Sequence, residues 1–337
     1  MSRRGATVAW IGLAALAGCQ LQVDFDPGGS GVTDATDATD STVTADTSEP
    51  TVPTVPLPGT SCTSTAEPWS PPVEISAPLT VLSDGWQAPD EPVHTLVVYL
   101  VSESLELTRG PGSRLEITQV SESGAPWVGV GVENGVAVLF SGCQAEVCPA
   151  STLQVAVPEP LTVVAGAAVL GPVTIRGAVS GDIHLDSLLA DVVVSGAPRS
   201  VRVASQEGAL GLDLAGTQVL DAFSATGDIT LEGDVTGELC AEVGLGTLEL
   251  ELDRAGDVYL RTSVGLVQGE LAQRPARTDV QTAQGDVSLT LPAGGYQLDT
   301  SVGPQGAVLL NGIEHDPGAS ERIRVQTSAA TVTLGGG

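Results

Sequence analysis

Recurrent Gly-Asp pairs are the first residues in this sequence whose type and spacing could do chemistry. Carboxylates repeated at equivalent corners could line up as oxygen ligands for calcium. The same pairs also suit tight turns, where Asp bonds neighbouring backbone groups. We favour turns and predict no metal site, because the Gly-Gly-x-Gly-x-Asp phrase of calcium-binding rolls is absent. The five pairs begin at Gly181, Gly227, Gly233, Gly256 and Gly285.

Residues suited to acid–base or nucleophilic catalysis do not form a recognisable motif. None of the three histidines, His94, His184 and His315, has the spacing of a metal ligand or of a nucleophile's partner. His184 alternates with apolar residues and is expected to face solvent, whereas His315 belongs to a His-Asp-Pro-Gly turn. We therefore predict a protein that is not an enzyme and that needs no cofactor.

Five cysteines suggest an exported, oxidised chain. The spacing of Cys143 and Cys148 suits a small hairpin-like loop, and we predict a disulfide between them. Zinc is the weaker alternative, since no second pair of ligands is visible. Cys62 and Cys240 either pair with each other, or Cys240 is a buried thiol; the sequence leaves both open.

A short repeated phrase provides the elements that would position these groups. It reads apolar, any, Thr, small, any, Gly, with Ala as the last residue of the fourth copy, and occupies residues 260–265, 280–285, 298–303 and 325–330. Regularly spaced glycines, which we call the glycine comb, continue this pattern toward the N-terminus. Successive members of the comb are 18 to 20 residues apart in five intervals and 27 residues apart in the last interval. Such a period is typical of a stacked repeat array. The comb consists of Gly208, Gly227, Gly246, Gly265, Gly285 and Gly303, followed by Ala330.

Apolar and polar residues alternate after each glycine of the comb. Leu248, Leu250 and Leu252, for example, are separated by acidic residues. A period of two predicts β-strands with one buried face, and it excludes a helix. Two short strands per period, joined at Gly-rich corners, predict an all-β fold: a β-solenoid with about 19–20 residues per rung.

The composition argues against nucleic acid as a partner. It also agrees with narrow rungs. The formal net charge is −28, and all 13 basic residues are Arg. Such a field repels polyanions, so we predict no binding to nucleic acid. Aromatic residues make up only 3% of the chain, as expected where strands of Val, Leu and Ala stack closely.

The first 18 residues have the features of a targeting segment. Arg3 and Arg4 precede a short apolar run that ends in Leu-Ala-Gly-Cys. This ending resembles the lipobox of bacterial lipoproteins, which implies that residues 1–18 are a signal peptide. It also implies that Cys19 becomes the acylated N-terminus, carrying palmitate-type chains that hold the protein on the membrane. Gln20 follows it, which in Gram-negative sorting implies the outer membrane.

Three further regions follow the signal peptide. Residues 19–61 are rich in Thr, Asp and Pro and predict a disordered, lipid-anchored tether. Residues 62–155 have less regular strands and predict an irregular N-terminal β cap with opening coils. Residues 156–337 predict the regular solenoid, so that 62–337 is one continuous domain.

One run of the repeats resembles a family of bacterial envelope proteins. Residues 281–289, Gln-Thr-Ala-Gln-Gly-Asp-Val-Ser-Leu, are similar to the repeat of the DUF4097/DUF2807 families, adhesin-like modules also called auto-transporter adhesin head GIN domains. The Leu291–Tyr296 segment is similar to another step of that repeat. The resemblance implies a β-solenoid module without known catalytic residues. The chain departs from the family in its cysteine-bearing cap and its 27-residue final step.

Two functions are compatible with these features. The first is a non-enzymatic, lipid-anchored envelope module, either periplasmic or displayed on the cell surface, that binds a protein or glycan. The second is a β-helix protein that binds or cleaves polysaccharide, which needs basic and aromatic groove residues. Only Phe223, Tyr259 and Tyr296 are aromatic in residues 208–337, so we favour the first.

Overall fold

The computed structural model describes residues 80–81, 86–88, 92–121, 127–142, 151–304, 306–329 and 331–337. These residues form 22 β-strands and no helix, all within the unit Trp69–Gly337. Within them, accordingly, no helix has the length and apolar character needed to cross a membrane. The predicted all-β fold is confirmed. The strands are β1 Thr80–Val81, β2 Trp86–Gln87, β3 Thr95–Leu100, β4 Ser104–Arg109, β5 Glu116–Ser121, β6 Trp127–Glu133, β7 Val136–Gly142, β8 Ser151–Val157, β9 Leu161–Ala168, β10 Val173–Arg176, β11 Val179–Ser187, β12 Val192–Gly196, β13 Ser200–Ser205, β14 Leu210–Thr226, β15 Ile229–Leu271, β16 Arg277–Gln284, β17 Val287–Leu291, β18 Gly294–Val302, β19 Ala307–Asn311, β20 Ile313–His315, β21 Arg322–Ala329 and β22 Thr331–Gly336.

The central strands pair in parallel at a nearly constant interval, as a β-solenoid requires. Val173 of β10 lies beside Val192 of β12, which lies beside Leu210 of β14. Leu210 in turn lies beside Ile229 of β15, nineteen residues further on. The interval between β15 and β16 is twenty residues. The predicted period of about 19–20 residues per rung is thus confirmed for the centre of the stack.

Each rung contributes one strand to each of two faces, and apolar side chains fill the space between them. Face 1 contains β3, β9, β11, β13, residues 219–226 of β14, residues 238–245 and 257–264 of β15, β16, β21 and β18. Face 2 contains β4, β10, β12, residues 210–214 of β14, residues 229–233, 248–252 and 267–270 of β15, β17, β22 and β19. One inward column of face 2 is entirely aliphatic and buried from Leu105 to Val332. Equivalent positions of successive rungs therefore build one continuous core.

The glycine comb stacks at one corner of the coil. A Cβ added to Gly246 would lie 2.5 Å from the carbonyl oxygen of Gly227, and one added to Gly227 would lie 2.5 Å from that of Gly208. Gly246 has φ +147°, a conformation that L-residues with a side chain rarely adopt. The glycine is needed because the neighbouring backbone occupies the space of a side chain.

Chain order and spatial order differ at both ends of the stack. Near the beginning, β3 and β4 lie between β9–β10 on one side and β7–β8 on the other. Near the end, β21 and β22 lie between β16–β17 and β18–β19, so β18 and β19 form the outermost rung. The rungs at these two ends therefore do not follow the order of the chain. The 27-residue final step is the signature of this insertion.

One copy of the repeated phrase is consequently out of register. The copies at residues 260–265, 280–285 and 325–330 align, with Thr262 beside Thr282 and Thr282 beside Thr327. In the copy at 298–303, Thr300 lies beside Val325, two residues away from the alignment that the phrase predicts. Equal local sequence therefore does not give equal pairing at the end of the stack.

Antiparallel strands occur only toward the beginning of the described chain. β1 pairs with β6, β2 with β5, β5 with β8 and β6 with β7, all antiparallel. The two outermost strands, β1 and β2, are two residues long. Short edge strands of this kind limit pairing with other chains. This arrangement agrees with the predicted irregular cap and opening coils.

Candidate functional site

An ion-pair network on the outward side of face 1 is the most concentrated group of charged side chains in the described chain. We call it the Arg–Asp network, and it joins β16, β21 and β18. Its contacts are Arg277 Nη2–Asp279 Oδ2 at 3.2 Å, Arg324 Nη1–Asp279 Oδ2 at 3.9 Å, Arg324 Nε–Asp299 Oδ2 at 3.8 Å and Arg322 Nη2–Asp299 Oδ2 at 3.1 Å. Three guanidinium groups and two carboxylates leave a charge of +1 in an acidic chain.

Strand register and alternation position this network. Arg277 lies directly beside Arg322, and Asp279 lies beside both Arg324 and Tyr259 on neighbouring rungs. These residues alternate along the strand with inward-facing residues such as Thr278 and Val280, so their side chains point away from the apolar core. Two arginines side by side would repel each other, and the aspartates between the rungs offset that repulsion.

Asp279 is the buried centre of the network. Its side chain is 1% exposed, whereas that of Asp299 is 49% exposed. Gln281 Nε2 donates to Asp279 Oδ1 at 3.5 Å, and Arg261 Nη2 donates to Gln281 Oε1 at 3.3 Å. A buried carboxylate needs such compensation, because an unpaired charge loses its hydration.

An aromatic ring completes the surface around the network. The guanidinium of Arg277 lies 5.1 Å from the centre of the Tyr259 ring. Burial raises the pKa of the Tyr259 hydroxyl. Partly exposed guanidinium groups beside a tyrosine can bind a carboxylate or a sugar ring.

The aspartates of the Gly-Asp pairs form hydrogen bonds and ion pairs with other groups of the protein. Asp228 Oδ1 accepts the backbone N–H of Thr247 at 2.7 Å, and Asp286 Oδ1 accepts that of Thr331 at 2.9 Å. A hydrogen bond from Arg254 lowers the pKa of Asp234. Burial raises the pKa of Asp182, but hydrogen bonds from Arg199 and Ser200 outweigh it, and the net shift is downward. The aspartates of these four Gly-Asp pairs thus contact groups on neighbouring rungs, whereas we expected from the sequence that they would bond the adjacent backbone of a turn.

Within the described chain, no three His, Cys, Asp or Glu side chains are close enough to hold a metal ion. The histidines lie apart from one another. His315 Nδ1 accepts the backbone N–H of Leu298 at 3.2 Å, which closes part of an open strand edge. His184 is half-buried rather than fully solvent-facing, and burial lowers its pKa. His94 contacts Thr95 Oγ1 at 3.0 Å.

The Leu291–Tyr296 segment has a structural role. Tyr296 is fully buried, and its hydroxyl donates to Pro292 O at 2.7 Å. The Arg274 guanidinium lies 4.8 Å from the centre of the tyrosine ring and donates to Ala293 O at 2.5 Å. This side chain therefore fixes a corner and is not available to a ligand.

The sequence-predicted sites lie outside the described residues: Cys19, Cys143 and Cys148 are all in that part of the chain. Their acylation and their pairing stay predictions. Cys240 lies on β15, is buried and is disulfide-bonded, so it is not the buried thiol that we left open. Cys62 also lies outside the described residues.

Sequence analysis missed the Arg–Asp network, although a signal was present. The copies of the repeated phrase that begin at Val280 and Val325 are both preceded by Arg, one residue, and a charged residue. The two extended segments read Arg-Thr-Asp-Val-Gln-Thr and Arg-Ile-Arg-Val-Gln-Thr. Had the alignment been extended three residues upstream, it would have placed Asp279 beside Arg324. The contribution of Asp299 depends on the out-of-register rung and was not accessible in this way.

No family model and no curated protein matches the chain. Three solved structures are similar to it, each at 10% identity. A candidate adhesin from Parabacteroides distasonis ATCC 8503 covers 76% of this chain and 97% of its own, with a TM-score of 0.39. The others are a candidate adhesin from Parabacteroides merdae ATCC 43184 (76% and 95%, TM-score 0.32) and a candidate cell adhesion protein from Clostridium sporogenes ATCC 15579 (77% and 100%, TM-score 0.22). Likeness at this level carries no conclusion about what this chain binds.

Proposed function

We propose that this chain is a non-enzymatic, lipid-anchored module of the bacterial cell envelope that binds a protein or glycan partner through the outward side of face 1. The lipobox-like ending at Cys19 and the Thr/Asp-rich segment after it support anchoring to the outer membrane. The stacked rungs support a binding role, because they hold side chains at fixed intervals along a rigid surface.

The observation that carries this proposal is the Arg–Asp network. Eleven arginines follow the lipobox cysteine, and three of them are brought together on adjacent rungs here. The Arg322 side chain is 46% exposed and its partner Asp299 is 49% exposed, so both are accessible to a partner. Arg277 and Arg324 are held in place by the buried Asp279, which reduces the entropy lost when a ligand binds.

Polysaccharide binding is the second candidate, and the position of Tyr259 favours it. Uronate sugars carry carboxylates that pair with guanidinium groups, and their rings pack on aromatic side chains. The sequence argument against a polysaccharide site rested on the scarcity of aromatic residues. The structure places one of the few beside Arg277.

The experiment measures binding of the protein to a panel of neutral and acidic glycans and analyses the products, which distinguishes binding from catalysis. We expect Arg322→Ala to weaken binding of an acidic glycan, or of the target cell surface, by about tenfold, since it removes one charge-assisted contact. Arg254→Ala is the matched control, because this exposed arginine also pairs with an aspartate but lies at a corner away from the network. Equal weakening by both variants would exclude the network as the contact. Release of shortened oligosaccharides would contradict a non-enzymatic role.

Anchoring is tested separately by Cys19→Ala. We expect this variant to leave the membrane fraction and appear in the soluble fraction, because the acyl chains supply most of the membrane affinity. The measurement is immunoblotting of fractionated cells, with Gln22→Ala, a nearby substitution that leaves the Leu-Ala-Gly-Cys ending intact, as the control. Retention of the Cys19→Ala protein on the membrane would show that another segment anchors the chain.

A further inference from the structure

The outermost rung, formed by residues 298–302 of β18 and by β19, is an open end of the stack. Among the described residues, β19 pairs only with β22, so its other edge faces away from the solenoid. The equivalent edge of β18 is closed at Leu298 by the side chain of His315. β19 therefore presents a free row of backbone N–H and C=O groups.

The end of the apolar core is uncovered at the same place. Val308 and Leu310 lie beside Val332 and Leu334, which are fully buried members of the inward columns. Leu310 continues its column but is exposed, as is Leu309 on the outward side of the strand. Repeat arrays normally shield such an end with a polar cap. The two-residue antiparallel strands β1 and β2 at the other end of the described stack have this shielding character.

Charge determines what can cover this end. Residues 298–311 contain a single acidic residue, Asp299, which is paired with Arg322 and Arg324. β19 itself, Ala-Val-Leu-Leu-Asn, has no charge. Two copies of a chain with net charge −28 repel each other over most of their surface, so a neutral strand edge is where they approach at least cost.

We propose that a second copy of this chain docks on this end, with β19 of one copy pairing antiparallel with β19 of the other. A two-fold axis perpendicular to the stack places the two copies of β19 side by side in antiparallel orientation. Such an axis gives a closed, self-complementary interface. The axis passes near Leu309, the middle residue of β19, so that the Leu309 side chains of the two copies lie opposite each other. The pairing satisfies the free backbone groups and covers Val308 and Leu310.

The test is sedimentation of the full chain, solubilised in detergent, over a range of concentrations at physiological salt. We expect a monomer–dimer equilibrium. Leu309→Glu places two like charges opposite each other and should raise the dimer dissociation constant at least about tenfold. Val193→Glu is the matched control: Val193 occupies the outward side of β12 on face 2, is 41% exposed against 51% for Leu309, and lies inside the stack. It should dimerise like the unmodified chain.

A mixture of Leu309→Glu and Leu309→Lys chains provides the specific control. Opposite charges then meet at the two-fold axis, and the mixture should form heterodimers under conditions in which each variant alone is monomeric. Circular dichroism confirms that each variant retains its strands. A monomeric unmodified chain, a Leu309→Glu chain that still dimerises, or masses that grow beyond the dimer would overturn the proposal.

Discussion

Gly246→Val is expected to destroy the native stack or to destabilise it by at least about 4 kcal/mol, the range of the largest single-residue effects. The new Cβ would lie 2.5 Å from the carbonyl oxygen of Gly227, and φ is +147°. The overlap is hard to relieve, because the strands on both sides of this corner are paired with those of the neighbouring rung. Urea denaturation followed by circular dichroism measures the loss.

Gly211→Val is the matched control for this prediction. Gly211 is also a glycine in a parallel strand, but an added Cβ would meet only Val193 Cγ2, at 3.7 Å. Valine has a high strand propensity, so this variant should be as stable as the unmodified chain or slightly more so. Similar denaturation midpoints for Gly246→Val and Gly211→Val would show that the glycine comb does not depend on close approach between rungs.

Asp279→Ala is expected to reduce the free energy of unfolding by about 2–4 kcal/mol, somewhat less than for a fully buried pair, because its arginine partners are partly exposed. The substitution leaves Arg277 and Arg324 adjacent to each other without the carboxylate between them. Gln281 also loses its acceptor. The two guanidinium groups repel each other in a partly desolvated position.

Asp299→Ala is the control that distinguishes the effect of losing a buried carboxylate from the effect of losing any carboxylate of the network. It removes a carboxylate from the same network, but at a position where the side chain is 49% exposed, and should cost at most about 1 kcal/mol. Both variants are measured in urea at low and high salt. If Asp299→Ala costs as much as Asp279→Ala, the buried carboxylate is not the centre of the network.

The centre of the solenoid could be predicted because its signals are local and periodic. Alternating Leu248, Leu250 and Leu252 predict which side of a strand is buried, and all three are buried. The spacing of the glycine comb predicts the length of a rung, because one corner of every rung leaves no room for a side chain. Both signals repeat often enough to be recognised in a single sequence.

The ends of the stack could not be predicted because strand pairing there is not local. The phrase at residues 298–303 matches the phrase at 325–330, yet the strands pair two residues out of that alignment. Nothing in either phrase specifies that residues 322–336 insert between two earlier rungs. The Arg–Asp network depends on this insertion, since it brings Arg322 and Arg324 between Asp279 and Asp299. The charged residues were visible in the sequence, but their partners were not.

The inserted rungs also limit how the protein can be made. A solenoid whose rungs follow chain order can wind up progressively while it is being synthesised. Here β16 and β17 keep an open edge until residues 322–336 have left the ribosome, and among the described strands β19 and residues 297–302 of β18 have no parallel neighbour before then. A nascent chain therefore cannot close the rungs of β16 to β19 until residues 322–336 have been synthesised.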